Sequence, residues 1–179
     1  MDKIKVRDKE FKKAIPYEEI QQAIKKVAGD INRDFEGKET PLFLSILNGA
    51  FMFTADVFKE LTISSEVSFV KFSSYRGTST SGKVKELIGL NEDLTGRHVI
   101  VMEDIVDTGL TINNVVRQIQ TYNPKDVKIA TMLFKPDACV EEVSLDYVGM
   151  EIPNEFIVGY GLDYDGLGRN YKDIYKVIS

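Results

Sequence analysis

The segment of residues 99–111, VIVMEDIVDTGLT, restricts the fold more than any other part of the sequence. Four apolar residues in a row meet two adjacent acids, Glu103 and Asp104, and a helical pattern then runs from Thr111 to Tyr122. An unbroken apolar run is typical of a strand that is covered on both faces, and such strands occur mainly in parallel sheets flanked by helices. The segment therefore predicts a strand, a short turn and a helix, the repeating unit of an α/β fold.

The same alternation of strands and helices continues along the chain. The pattern predicts helices at 16–35, 51–61 and 111–122, and strands at 41–47, 64–75, 97–105, 126–135, 147–152 and 155–162. In the first helix, Ile20, Ile24, Val27 and Ile31 recur at helical spacing. We expect an α/β fold with a mainly parallel, twisted sheet flanked by helices, in which ligands bind beyond the carboxyl ends of the strands.

Composition excludes several classes of protein. The 179 residues are 43% hydrophobic, which suits one globular domain, and no apolar run approaches the ~20 residues of a membrane span. The charged N-terminus favours a cytoplasmic protein without a membrane partner, and the net charge of −5 argues against nucleic-acid binding. The single Cys139 and the single His98 exclude an internal disulfide and a multi-histidine metal centre.

The residues after the acids suit a phosphate group. Gly109 allows a close backbone approach, the start of a helix presents free N–H groups to an anion, and Thr108 and Thr111 add hydroxyl donors. The GxxxxGK[ST] pattern of a nucleoside-triphosphate-binding loop is absent from the segment. An ordinary capped helix start remains an alternative for this turn taken alone.

The paired acids suit a sugar or a metal ion. Because adjacent strand residues point to opposite faces, we expect that Glu103 and Asp104 do not form a side-by-side pair. Beside a phosphate site, such carboxylates accept hydrogen bonds from sugar hydroxyls or hold Mg²⁺ through water. A solvated strand end is the alternative.

Five segments together resemble a known family. VMEDIVDTGLT is similar to the phosphoribosyl pyrophosphate (PRPP) signature of type I phosphoribosyltransferases, in which a strand and two acids precede D-T-G/S-x-T. Four further segments resemble the hypoxanthine-guanine branch of that family. They are LNGA (47–50), SSYRGTSTSGKV (73–84), LFKPDA (133–138) and EFIVGYGLDYDGLGRN (155–170). The resemblance runs from about Pro41 to the C-terminus.

The resemblance implies one domain, 1–179, with a core at about 36–150 and a small hood built from about 1–15 and 151–179. It implies purine salvage, in which the 5-phosphoribosyl group passes from PRPP to hypoxanthine or guanine and yields IMP or GMP and pyrophosphate. It also implies Mg²⁺ as cofactor and a homodimer or homotetramer. A xanthine-guanine enzyme and a PRPP-binding RNA regulator with little catalysis remain alternatives.

The family's site residues carry over one by one onto matching positions. Glu103 and Asp104 would hold the ribose, directly or through Mg²⁺, and Asp107 would be the general base at purine N7. The 5'-phosphate would bind at Thr108, Gly109, the amide of Leu110, and Thr111. Leu110 stands where mammalian relatives have a lysine, so we expect the backbone amide to serve there.

The other roles implied by the resemblance concern the purine and the pyrophosphate. Lys135 would donate to the purine 6-oxo group, Phe156 would stack on the ring, and Ile157 would offer backbone atoms. Asp163 would lie beside the purine and hold a second Mg²⁺ through water. Pyrophosphate would bind at Asn48, Gly49 and Arg169, and the family often has a non-proline cis peptide between the residues at positions 47 and 48. Ser74 and Tyr75 would belong to a mobile loop that closes over PRPP.

Overall fold

The computed structural model describes residues 2–74 and 85–178. The predicted mobile-loop residue Tyr75 lies outside these ranges, and Ser74 is described only as the last backbone position of its strand. Among the described residues, no helix combines the length and the apolar composition needed to cross a bilayer.

The larger of two sheets contains six strands in the order β5-β4-β3-β6-β7-β8. Its strands are β3 (Leu42–Leu47), β4 (Glu66–Ser74), β5 (Lys85–Ile88), β6 (His98–Val106), β7 (Asp126–Phe134) and β8 (Tyr147–Glu151). All neighbouring pairs are parallel except β4–β5, which closes one edge as an antiparallel pair. The mainly parallel sheet predicted from the sequence is confirmed.

Helices cover both faces of this sheet, which explains the unbroken apolar strands. Helices α1 (Tyr17–Phe35) and α2 (Phe51–Glu60) pack on one face around a core that includes Phe43, Ile100 and Met102. On the opposite face lies α3 (Leu110–Gln120), over a second core that includes Leu44 and Val101. The alternate residues of β6 thus enter different cores, and both kinds of position need to be apolar.

The hood is a four-stranded antiparallel sheet in the order β1-β2-β10-β9. It joins the two ends of the chain through β1 (Lys3–Val6), β2 (Lys9–Ile15), β9 (Ile157–Val158) and β10 (Ile174–Val177). Phe11 is fully buried beneath it and packs with Val158 and Tyr175. The two terminal segments therefore form the hood that the resemblance implied.

The strand predicted at 155–162 is wrong beyond Val158. Gly159, Tyr160 and Gly161 have φ values of 101°, 48° and 94°, and a strand does not accommodate consecutive residues with positive φ. The chain turns there, and Gly159 N donates to Leu162 O at 3.1 Å. The peptide between Leu47 and Asn48 is cis, a feature that the resembled family often has at this position and that the sequence alone left open.

Candidate active site

The turn between β6 and α3 forms a cavity of about 220 Å³ lined by residues 103–109, 111 and 112. Gly109 precedes the helix with φ 83°, and a Cβ at this position would lie 2.5 Å from Val143 Cγ2 and 3.0 Å from Glu141 O. Only glycine therefore fits here. No side chain among the described residues caps α3, so the N–H groups of its first turn remain available to an anion.

The hydroxyl residues of this turn reach solvent. Thr108 is exposed, Thr111 is half-buried, and the Leu110 side chain is 50% exposed. An exposed apolar side chain at position 110 offers no charge to a phosphate, which leaves the backbone amide as the donor that this residue can supply.

The two acids at the end of β6 differ from their predicted arrangement. Glu103 Oε1 accepts a hydrogen bond from Asp104 N at 3.1 Å, and Asp104 Oδ1 accepts one from Ile105 N at 2.8 Å. Each carboxylate thus accepts from the backbone amide of the next residue, and the two acid groups are near enough for each to affect the pKa of the other. The expectation that they cannot lie side by side is wrong, because these local hydrogen bonds override the alternation of an ideal strand.

Burial dominates the electrostatics of this pair. Glu103 is 7% exposed, and burial followed by the nearby Asp104 charge raises the Glu103 pKa well above its usual value. Burial also raises the pKa of Asp104, although hydrogen bonds from Glu103 and Ile105 and the charge of Arg169 oppose that rise. Two desolvated carboxyl groups at a strand end are typical of a site built to receive donors or a cation from a ligand.

Lys135 and Asp107 form an ion pair beside the cavity. Lys135 follows β7, and its backbone N–H donates to Val106 O at 2.9 Å, next to the end of β6. Its Nζ lies 3.2 Å from Asp107 Oδ2. Lys135 is only 6% exposed, whereas the Asp107 side chain is 47% exposed. A buried lysine whose partner faces the solvent is not an ordinary surface lysine, and its ammonium group points at the side chain predicted to be the general base.

The turn after β3 lies against the paired acids. Asn48 is exposed and Gly49 half-buried, and a Cβ added at Gly49 would overlap with the Asp104 carboxylate. A Cβ added at Gly161 would overlap with Gly49 O, so the turn after β9 also packs against this loop. The ends of β3 and β6 and the turn after β9 therefore meet at Gly49.

Arg169 fixes the far side of this junction. Its Nη1 donates to Gly161 O at 2.7 Å, and its Nη2 lies 2.6 Å from Asp163 Oδ1. Asp163 Oδ2 in turn accepts from Gly166 N at 2.6 Å. The side chain of Arg169 is 27% exposed, so it is held in place rather than extended freely into solvent.

Residues 16–165 match the sequence profile of the phosphoribosyl transferase domain family. The chain belongs to the phosphoribosyltransferase family. The hypoxanthine-guanine phosphoribosyltransferase of Streptococcus pneumoniae R6 is 39% identical over 161 residues, which cover 89% of this chain and 87% of that protein. The resemblance drawn from the sequence motifs is confirmed.

Solved structures of phosphoribosyltransferases have the same fold as this chain. A Bacillus anthracis hypoxanthine-guanine phosphoribosyltransferase with HEPES in its active site has a TM-score of 0.84 and 38% identity, over 93% of this chain and 98% of that one. A Trypanosoma cruzi hypoxanthine phosphoribosyl transferase has a TM-score of 0.86 and 34% identity, over 98% and 95%. Because the identities exceed 30% over nearly the whole chain, these proteins resemble this chain in sequence as well as in fold.

Phe156 and Ile157 stand in the hood of this phosphoribosyltransferase. Phe156 is 44% exposed, and its ring meets Phe11 and Tyr164 with centroids 6.1 and 5.5 Å away. It is therefore not an ordinary core residue and keeps a surface on which a ring could stack. Ile152 N donates to Phe134 O at 2.8 Å, so the segment leading to Phe156 starts beside the end of β7.

The sequence patterns did not indicate the segment that covers the turn between β6 and α3. Val140 and Glu141 donate their backbone N–H groups to Thr108 O at 3.0 and 3.4 Å, and the Cys139 thiol donates to Asp107 O at 3.2 Å. Burial and the charge of Asp107 raise the pKa of that thiol. The segment CVEEV has no periodicity of its own, so only the folded chain brings it to the turn.

The oxygen-rich side chains suit Mg²⁺ held together with a substrate. Within residues 2–74 and 85–178, no three His, Cys, Asp or Glu side chains gather into a metal-binding group. Mg²⁺ is usually held by one or two carboxylates plus substrate phosphates, not by an all-protein cage. The Glu103–Asp104 pair, and Asp163 beside Arg169, therefore fit such an ion.

Proposed function

We propose that this chain transfers the 5-phosphoribosyl group from PRPP to a 6-oxopurine, hypoxanthine or guanine, and releases IMP or GMP and pyrophosphate. The names of the similar proteins support this activity. The observation that carries it is the 3.2 Å pair of Lys135 and Asp107 at the strand ends. N7 and the 6-oxo group lie side by side on one edge of the purine, so a carboxylate and an ammonium group that are neighbours can hydrogen-bond to both.

Lys135 would select the base. Its ammonium group only donates hydrogen bonds, so it favours the 6-oxo oxygen and has no acceptor for the 6-amino group of adenine. Because Lys135 is buried, a mismatched base would leave its charge without a ligand partner. Phe156 would stack on the purine face, and the backbone of Ile157 would meet the purine edge.

Asp107 would be the general base. A bond forms between purine N9 and the anomeric carbon of the ribose, while the bond from that carbon to the pyrophosphate oxygen breaks. The proton on N7 passes to the Asp107 carboxylate, which is half-exposed and within reach of a ligand. Lys135 would orient that carboxylate from the protein side.

The rest of PRPP would lie along the turns beside this pair. The first-turn amides of α3 and the hydroxyls of Thr108 and Thr111 would hold the 5'-phosphate, with Gly109 allowing the approach. Glu103 and Asp104 would accept from the ribose hydroxyls and place negative charge near the positive charge that develops on the sugar.

The leaving group would bind where three chain segments meet. The amides of Asn48 and Gly49 and the guanidinium of Arg169 would contact pyrophosphate. Glu103, Asp104 and Asp163 would hold Mg²⁺. When bound, this ion would neutralise negative charge on the pyrophosphate.

The decisive assay follows pyrophosphate release with PRPP, Mg²⁺ and each of hypoxanthine, guanine, xanthine and adenine. Turnover with hypoxanthine or guanine and none with adenine is expected. Turnover with no 6-oxopurine would refute the proposal, and a rate with xanthine above that with hypoxanthine would favour a xanthine-guanine enzyme. The comparisons do not favour an RNA regulator.

Assembly and location are also proposals. We propose a homodimer or homotetramer, to be measured by sedimentation velocity across a range of protein concentrations. A monomer at micromolar concentration would refute this proposal. The cytoplasmic location stays a prediction, which fractionation of the source cells would test.

A further inference from the structure

Asp56 is a buried carboxylate outside the residues that would touch a ligand. It lies in α2, is 9% exposed, and accepts hydrogen bonds from Lys59 Nζ at 2.7 Å, Tyr160 Oη at 2.7 Å and Gln21 Nε2 at 3.1 Å. Burial opposes its ionisation, but the three donors outweigh that effect and lower its pKa. The group is a buried anion satisfied by α1, α2 and the turn after β9.

Tyr160 occupies a backbone conformation that is uncommon for its type. Its φ of 48° lies in the left-handed region, between Gly159 and Gly161, which also have positive φ. Such a conformation persists when surrounding contacts fix it. Two contacts do so here, because Tyr160 N donates to Tyr171 O at 2.7 Å and its hydroxyl donates to Asp56.

These contacts close a ring around the proposed pyrophosphate site. Helix α2 starts just after Gly49 and carries Asp56, which holds Tyr160. The next residue, Gly161, packs on Gly49 O and accepts from Arg169 Nη1. The bond between Asp56 and Tyr160 thus joins the helix behind Gly49 to the turn that carries Arg169.

We propose that Asp56, acting through the Tyr160 hydroxyl, is a positioning residue for the pyrophosphate end of the active site. It keeps the turn of residues 159–161 seated on Gly49, so that Arg169 and the Gly49 amide face the same leaving group. This role rests on the proposed function, since it assumes that pyrophosphate binds between these two groups.

The variant Tyr160→Phe removes only the hydroxyl. Its ring still packs near Tyr17, with the centroids 6.4 Å apart. We expect the KM for PRPP and the Kd for magnesium pyrophosphate to rise about tenfold, the order of effect of losing a hydrogen bond to a charged group. The KM for hypoxanthine should change less than about twofold, because Lys135 and Asp107 lie on other strand ends.

Tyr147→Phe is the matched control. Tyr147 is also buried, at 4% exposure, and its hydroxyl also donates to a carboxylate, Asp34, at 2.8 Å. That bond joins β8 to α1 and has no part in the ring around Gly49. We expect this variant to lose thermal stability while its KM and Kd values stay at the wild-type level.

The deciding measurement is calorimetric titration of the wild type and both variants with magnesium pyrophosphate, which requires no turnover. Hydrogen exchange at the Gly161 amide, which donates to Arg169 O at 3.1 Å, should be faster in Tyr160→Phe than in Tyr147→Phe. In a double-mutant cycle, Asp56→Asn and Tyr160→Phe should be non-additive in pyrophosphate affinity.

The outcomes separate the two proposals. Weaker pyrophosphate binding in Tyr160→Phe, together with no wild-type turnover on any purine, would remove the proposed function and leave the positioning role standing. Equal affinity in the wild type and Tyr160→Phe would overturn the positioning role, as would an equal loss in Tyr147→Phe. A wild-type protein that binds no magnesium pyrophosphate would overturn it as well.

Discussion

The substitution Lys135→Met tests directly whether Lys135 selects the base, as proposed. Methionine keeps an unbranched chain of similar length at this buried position but removes the ammonium that lies 3.2 Å from Asp107. A hydrogen bond from a charged donor contributes about 1.5–3 kcal/mol, and ~1.4 kcal/mol corresponds to a factor of ten. We therefore expect kcat/KM for hypoxanthine and for guanine to fall about 10- to 150-fold.

The same substitution should change the fold very little. The partner that it leaves behind, Asp107, has a side chain that is 47% exposed, so water can replace the lost ammonium. Removing a nearly buried lysine also removes a desolvation cost. We expect the free energy of unfolding to change by less than about 1 kcal/mol, the range of a partly exposed ion pair.

Lys128→Met is the matched control, at a lysine near the start of β7. Lys128 also forms an ion pair at 3.2 Å, with Asp146 Oδ1, but at the opposite end of β7 from Lys135. The assay compares initial rates for hypoxanthine, guanine and adenine at saturating PRPP, and then the KM for PRPP. Unchanged kcat/KM in Lys135→Met would refute the reasoning, and a large rise in the KM for PRPP alone would mean that Lys135 serves the sugar phosphate instead.

Three further predictions concern a proton transfer, a close packing contact and an acid transition. Asp107→Asn should lower kcat about 10²- to 10⁴-fold in initial-rate assays, and undiminished turnover would remove the general-base role. Gly109→Ala should lower the free energy of unfolding in urea by about 1–3 kcal/mol more than Gly37→Ala, because Gly37 shares the positive φ but has open space around it. At Asp173, burial opposes ionisation but hydrogen bonds from Lys13 and the Tyr17 amide outweigh it, so its pKa is lowered. Its stabilisation is then present above the unfolded pKa of about 4 and lost as pH falls through the folded value, so Tm from pH 6 to 3 should fall less steeply in Asp173→Asn than in the wild type.

The turn between β6 and α3 was predictable because its geometry is local. Strand, turn and helix follow one another within residues 99–122, and the residue that must adopt positive φ is a glycine, Gly109. The pattern of apolar residues alone therefore placed α3 and the carboxyl end of β6 within a residue or two. The predicted arrangement of Glu103 and Asp104 was wrong, since each carboxylate accepts a hydrogen bond from the next backbone amide, a local contact that the apolar pattern does not encode.

The hood could not be predicted from the periodicity of apolar residues in the sequence. Its strands β1 and β2 are short and rich in lysine, and their partner β10 lies at the other end of the chain. The pattern of residues 155–162 is typical of one strand, but the chain turns at residues 159–161, where the Tyr160 hydroxyl contacts Asp56, far away in the sequence. Only the resemblance to a family indicated that the terminal segments form a hood.

Gly49 links the shape of the turn after β3 to that of the acidic end of β6. Its φ is not in the left-handed region that requires glycine elsewhere in this chain, so its backbone alone would accept another residue. The parallel register pairs Ser45 of β3 with Met102 of β6, which brings the end of β3 level with the acids that follow. The Asp104 carboxylate fills the space that a side chain at position 49 would need. The requirement for glycine in the proposed pyrophosphate turn therefore comes from the acid proposed to hold the ribose, so neither segment can change its shape without moving the other.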